Sequence, residues 1–323
     1  MALTLSTGGQ GGVFTLRGGS FGGRFQASVT PPGLLLDTYP GAAAAYSLRK
    51  LRSAYTGAAI RVRRSLDNIE FDINFLANGE LDTTNLLLSC GGTNGNVVKW
   101  YDQSGNGVDA THPTGPQIVV SGVLQLQNGK PTLTQTAVNS QWLETPYSFN
   151  LAANKLASIY SITKAVELYG NYYAMRRNAL ADYTSGIALI ATDTSFLNRI
   201  NLGRGSGGSN FADTNIKDWT FNSTIQQLTS ALISTSNIAI YKNGANQTLS
   251  TSLGTMPLSD WLSTGSGLHN IILGGRNYNN TNSPSVTDPT MLGNYQEFIF
   301  YFSDQSGNNT AIQNNINSYY SIY

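Results

Sequence analysis

Cysteine is almost missing from this chain. Cys90 is the only one in 323 residues, so an intrachain disulfide is excluded. It follows Leu86-Leu87-Leu88, an apolar run that reads as the setting of a buried, inert thiol. Histidine is nearly as scarce: His112 and His269 stand alone, neither near another His or Cys, which removes the ligand spacing of a zinc centre. Charge is low at 11% of residues, against about 25% in ordinary soluble domains. Net charge is +1, so Asn, Ser, Thr, Gln and Gly must cover much of the surface. No Lys/Arg stripe approaches the roughly 6–10 phosphate contacts that underlie nucleic-acid affinity. The densest basic stretch, Arg61-Val62-Arg63-Arg64, lies beside Asp67, Glu70 and Asp72 and reads as a salt-bridged strand edge. No apolar run nears the roughly 18 residues of a membrane span. The opening Met1-Ala2-Leu3-Thr4-Leu5-Ser6 has neither a basic n-region nor a continuous apolar core, so no signal peptide is expected.

Local signatures of chemistry are missing too. There is no Gly-x-Ser-x-Gly elbow, and no phosphate-binding glycine loop follows a credible strand. His112 lies in Thr111-His112-Pro113, which says only that the chain is extended there. Glycoside hydrolysis is different, because two carboxylates from distant strands leave no local motif. The glutamates are Glu70, Glu80, Glu144, Glu167 and Glu297. Glu144, after Gln141-Trp142-Leu143, and Glu167, before Leu168-Tyr169, are the candidates to meet Asp102 or Asp109 in a cleft; exposed or hydrogen-bonded strand carboxylates are the competing reading. No cofactor is expected. A structural calcium ion would find oxygens in the loop Asp102-Gln103-Ser104-Gly105-Asn106-Gly107-Val108-Asp109, where turns closed by Asx hydrogen bonds compete with it.

What is abundant is glycine, 34 residues, and tyrosine, 17. Residues 8–33 alternate glycine pairs with Val13, Phe14, Leu16, Phe21 and Phe25, too apolar for a linker and too glycine-rich for a core. With the residues before them they read as an N-terminal docking arm over residues 1–33, closed by Pro31-Pro32-Gly33. Residues 34–323 show no internal boundary and are expected to form one domain. A helix is predicted over Ala42–Tyr55 from its alanines and the spacing of Leu48, Leu51 and Tyr55. Short strands are predicted at Ala59–Val62, Ile69–Phe75, Leu86–Cys90, Val97–Tyr101, Ile118–Val120, Lys155–Ile162, Gly186–Ala191, Leu197–Leu202, Gln227–Ser234, Ile238–Lys242, Ile271–Leu273 and Tyr295–Phe302. Asn243-Gly244 marks a tight hairpin, and Asn309–Tyr320 a closing amphipathic helix. The pattern is all-β: a concanavalin A-like or laminin-G-like antiparallel β-sandwich (jelly roll) with minor helices.

Two blocks carry a family resemblance. Ala45-Tyr46-Ser47-Leu48-Arg49-Lys50-Leu51 with Ser53 to Asp67, and Trp100-Tyr101-Asp102-Gln103-Ser104-Gly105-Asn106-Gly107, resemble the catalytic domain of the fungal α-L-arabinofuranosidase B family over residues 40–165. Weaker similarity runs through Ile272-Leu273-Gly274-Gly275 to Tyr295 and the C-terminus. The second half also resembles laminin-G or pentraxin-like lectin sandwiches. The resemblance implies a concanavalin-type sandwich, a kind of module that also occurs in bacteriophage tail and head-fibre proteins. It further implies a Glu nucleophile shortly after a Tyr-Gly-Asn stretch and an Asp acid after a late Gly-Gly. Here Tyr169-Gly170-Asn171 runs into Tyr172-Tyr173-Ala174-Met175, and Gly274-Gly275 into Arg276-Asn277. Both expected carboxylates are absent in that alignment, as are the family's paired cysteines and arabinose-binding second domain.

The expectation is therefore a non-enzymatic bacteriophage virion protein: a head or tail fibre or decoration component, assembled in the host cytoplasm. Residues 8–33 would dock on other virion proteins, the chain would form a homo-oligomer, by class a trimer, and a surface glycan would be bound. Trp100, Asp102, Trp142, Tyr173, Arg276 and Asn277 are the glycan-binding candidates, since an aromatic face stacks on a sugar while amides and charges read its hydroxyls. An arabinofuranosidase or related hydrolase, and a stand-alone carbohydrate-binding module, are the alternatives.

Overall fold

Apolar and polar residues alternate along short runs punctuated by Gly, Asn and Ser, and from them the described residues form twenty-two strands. The computed structural model describes residues 33–136, 141–165, 171–177, 185–191, 197–205, 214–220, 225–251, 254–264, 267–275 and 292–323. Residues 8–32 of the proposed arm, and with them its docking, lie outside that set. Pro32–Tyr323 forms one compact unit.

One layer of the sandwich is an antiparallel ribbon of eleven strands among the described residues. Its order is β3 (Glu70–Ile73), β2 (Ile60–Arg64), β4 (Gly95–Trp100), β5 (Ala110–Thr111), β11 (Leu143–Glu144), β21 (His269–Leu273), β13 (Asn171–Arg177), β14 (Ile187–Ala191), β15 (Leu197–Gly203), β16 (Thr214–Thr220) and β20 (Ser250–Thr251). The second layer centres on β22 (Gly293–Tyr301). On one edge β22 receives β1 (Ala44–Ser47) and β10 (Leu133–Gln135), and on the other β12 (Ala157–Ala165). Beyond β12 come β17 (Gln227–Ile233), β18 (Ile238–Lys242) and β19 (Ala245–Asn246). Strand β6 (Gln117–Val120) pairs with β4 of one layer and β10 of the other, so the sandwich is stitched along one side; β7 (Val123–Leu124) pairs with β6, and β8 (Leu126–Gln127) with β9 (Lys130–Pro131).

The core lies between the layers. Trp100, Tyr173, Met175, Leu189, Ile200, Ile271 and Leu273 from the first layer meet Tyr46, Ile159, Ile240, Tyr295, Phe298 and Phe300 from the second. Strand β22 is buried along both faces. Its alternate residues Ile299 and Tyr301 point away from this core to a second cluster with Ile312, Ile316 and Tyr320 of the C-terminal helix. That explains why Tyr295–Phe302 reads as continuously apolar: a strand covered on both sides has no solvent face to mark with polar residues. Among these apolar contacts Glu297 is 1% exposed, and Arg49, 7% exposed, grips it through Nε–Oε2 at 2.9 Å and Nη2–Oε1 at 3.1 Å. Ser47 and Tyr320 also donate to this carboxylate. Desolvation works against the Arg49 charge more than any other influence, yet the nearby Glu297 carboxylate holds its pKa above the ordinary value.

Two expectations fail here. Ala42–Tyr55 is not a helix: Ala44–Ser47 is strand β1, in register with Phe300 to Glu297. Alanine favours helix only weakly, and the ladder on β22, with Ala45 N–H donating to Asp102, outweighs it. Conversely, Leu86–Cys90 belongs to the helix Thr83–Cys90. Asp82 caps it by accepting from Asn85 N–H at 3.0 Å, and Gly91 ends it at φ 57°. The helix Asn309–Tyr320 and the Asn243-Gly244 turn form where the sequence places them.

Candidate active site

Strand register draws a line across the outer face of the eleven-stranded layer. Successive partners are Asp72, Arg61, Lys99, Thr111, Glu144, Ile272, Ala174, Ala188 and Asn201. Its first half is charged, and its second half is a small apolar floor of Trp142, Ala174, Ala188, Ile190 and Ile272. Glu144 stands where the two meet. A cleft of about 320 Å³ opens over the charged half, lined by Arg61, Glu70, Val98, Lys99, Thr111, His112, Pro113 and Glu144.

The cations of this cleft are held by their own partners. Arg61 binds Asp72 in a two-pronged pair, Nε–Oδ1 and Nη2–Oδ2 both at 2.8 Å, and Tyr101 donates to the same carboxylate at 2.8 Å. The Arg61 guanidinium holds the Asp72 carboxyl below the ordinary carboxylate range. Lys99 reaches Asp109 at 3.4 Å. Two carboxylates line the cleft from strands four places apart in the ribbon: exposed Glu70 and half-buried Glu144. Asn270 donates to Glu144 Oε2 at 3.4 Å. His112 forms a wall, its ring centroid 3.9 Å from that of Trp142. Burial pushes the His112 pKa down to about 4, and the Arg63 charge acts the same way, so the ring is neutral at pH 7.

The sequence candidates divide sharply. Trp142 backs the cleft through His112. Trp100 is wholly buried among Tyr46, Tyr295 and Phe298, at centroid distances of 6.0–6.2 Å, and offers no face to a sugar. Tyr173 is likewise a core residue, stacked edge-on against Phe298 and Phe300. Asp102 closes its own loop, accepting from Ala45 N, Ser104 N, Ser104 Oγ and Val108 N. Asp109 accepts from Asp102 N, so the two carboxylates proposed for calcium are taken up by donors of the chain. Among the described residues no group of three or more His, Cys, Asp or Glu is placed to hold a metal ion. Arg276, Asn277, Tyr169, Gly170 and Glu167 lie outside the described residues, as therefore does the alignment that places the family's carboxylates. Glu144 does join a second carboxylate, but that partner is Glu70, not Asp102 or Asp109. His112, Arg61 and Glu70 are not legible from sequence as site residues, because only the pairing of β3, β2, β4, β5 and β11 brings them into one cleft.

Residues 37–141 match the family model of the α-L-arabinofuranosidase B catalytic domain. Among solved structures, the chain is similar to an arabinofuranosidase complexed with arabinofuranosyl-α-1,2-xylobiose, at TM-score 0.55 and 19% identity over 88% of this chain. It is equally similar to a GH54 α-L-arabinofuranosidase soaked with a cyclic sulfate inhibitor, at TM-score 0.56 and 19% identity over 88% of this chain. It spans 64% of the length of each. No curated protein sequence matches the chain significantly. The chain thus carries the arabinofuranosidase-B catalytic-domain fold. The matches to these enzymes overturn the expectation of a non-enzymatic bacteriophage fibre, capsid or decoration protein. That expectation rests on the absence of a signal peptide, the glycine-rich arm, the neutral amide-rich surface and the family resemblance, and none of these excludes a glycan-processing enzyme.

Proposed function

We propose that this protein is a glycoside hydrolase acting on arabinofuranosyl side groups of glycans, and that the Glu70/Glu144 cleft is where it does so. The observation that carries the reading is one solvent-open cleft lined by two carboxylates, Glu70 and Glu144, from strands far apart in sequence. Hydrolysis of a glycosidic bond needs one carboxyl group to protonate the leaving oxygen and a second to attack the anomeric carbon or activate water. Glu144, half-buried and hydrogen-bonded by Asn270, is the positioned member. Glu70 stands on the exposed rim. The family match and the shared fold support arabinofuranosides as the substrate class.

The test is a substrate panel with chromatographic detection of released monosaccharide: arabinoxylan, arabinan, and 4-nitrophenyl glycosides of arabinofuranose, xylose, glucose and galactose. Arabinose is the expected product, and release from the arabinofuranosides alone is the expected pattern. Binding of arabino-oligosaccharides without any release would refute the hydrolase reading and leave a binding module in its place.

A further inference from the structure

Only one orientation of the His112 proton satisfies its surroundings. The Thr114 backbone N–H donates to His112 Nδ1 at 3.2 Å, and a backbone amide cannot accept, so Nδ1 must carry the lone pair. Thr114 Oγ1, 3.1 Å from the same nitrogen, is then a second donor to it. The neutral ring must therefore carry its proton on Nε2. That nitrogen has no hydrogen-bond partner among the described residues, and the half-buried ring lines the open cleft. The ring cannot easily swing away, because Trp142 packs against it and the His112 backbone N–H is tied to Val98 O at 3.1 Å.

We propose that His112 is a substrate-binding residue of the cleft, its Nε2–H donating to a hydroxyl or ring oxygen of a glycosyl unit bound there beside Glu144. The assignment rests on the cleft being the glycan site. It gives the cleft complementary chemistry: the carboxylates accept from sugar hydroxyls, and the imidazole donates to a sugar oxygen. A neutral donor suits a neutral sugar, and it stays neutral down to about pH 4 because burial holds the proton affinity of the ring low. A sugar lacking the matched oxygen would leave the Nε2–H unpaired in a filled cleft, the kind of mismatch that discriminates strongly.

Long-range ¹H–¹⁵N spectroscopy of the full-length protein labelled at histidine tests this directly. There are two histidine rings, and His269 is 1% exposed with Nε2 bonded to Ser185 O. At pH 7 the His112 ring is expected as the Nε2–H tautomer, and titration with an arabino-oligosaccharide is expected to shift its Nε2 signal while that of His269 stays in place. In kinetics, His112→Phe keeps an aromatic ring against Trp142 and should raise KM about tenfold, the worth of one neutral hydrogen bond, with kcat little changed. His112→Gln, whose amide N–H reaches about the position of Nε2, should recover most of that loss. The proposal is overturned by an Nδ1–H tautomer, by a His112 signal that does not respond to saccharide, or by an unchanged KM in His112→Phe. Turnover with an unresponsive His112 would sink this assignment alone. A responsive His112 without turnover would uphold it and sink the hydrolase reading.

Discussion

Arg49 and Glu297 show how a chain with little charge uses what it has. The pair is buried against the C-terminal helix, and Arg49 also lies over the Tyr319 ring at 4.9 Å from its centroid. Removing one partner strands the other in a low-dielectric site, so Arg49→Met should cost about 3–5 kcal/mol. The double variant Arg49→Met/Glu297→Leu should regain much of that loss. Urea unfolding of the two variants checks both statements. The histidines make a second prediction. Burial holds the pKa of both His112 and His269 below the ordinary value. In the unfolded chain they take up protons as pH falls through about 6.5, while in the fold His112 resists until about 4. The unfolded state therefore binds more protons across that window, and their contribution to stability is full above about pH 6.5 and declines toward pH 4. Melting temperature should fall over this range, and less so in the His112→Asn/His269→Gln variant.

At the scale of elements, the hairpin between β18 and β19 is decided by two residues. Asn243 and Gly244 sit at φ 50° and 80°, the left-handed pair required by a two-residue turn, and a Cβ on Gly244 would come within 3.0 Å of the Tyr323 ring. Gly244→Ala should cost about 1 kcal/mol or more by chemical denaturation. This turn and the helix Asn309–Tyr320 are legible in the sequence because their determinants are local: an Asn-Gly pair, and Ile312 and Ile316 at a spacing of four. Strand β1 is not, because Ala42–Ala45 carries a helical preference that only the distant partner β22 overrides. The helix Thr83–Cys90 is hidden for a different reason. Its three leucines look like a buried strand, although Leu88 is 74% exposed, and the signal that identifies the helix is the Asp82 cap ahead of them.

For the whole molecule, the sandwich is readable from sequence and the site only half so. Fold class follows from many short, turn-bounded strands, a property spread over the entire chain. The cleft depends on register between strands that begin at residues 60, 70, 95, 110 and 143, and no local pattern encodes that. Trp142, named from sequence for sugar stacking, is buried behind His112, and Trp100 and Tyr173, named on the same ground, are core. The functional expectation fails more broadly, since a fold shared by enzymes and binding proteins does not choose between them. The proposed choice rests on Glu70 and Glu144 lining one cleft of a scaffold shared with arabinofuranosidases. The most direct test is the initial rate of 4-nitrophenyl α-L-arabinofuranoside hydrolysis by the native protein and by Glu144→Gln, a swap that keeps shape and removes charge. Measurable turnover is expected from the native protein, with a loss of about a hundredfold or more in the variant, which should still fold and still bind arabino-oligosaccharide. Equal rates from the two proteins would show that Glu144 takes no part in the chemistry and that the cleft is not the hydrolytic site.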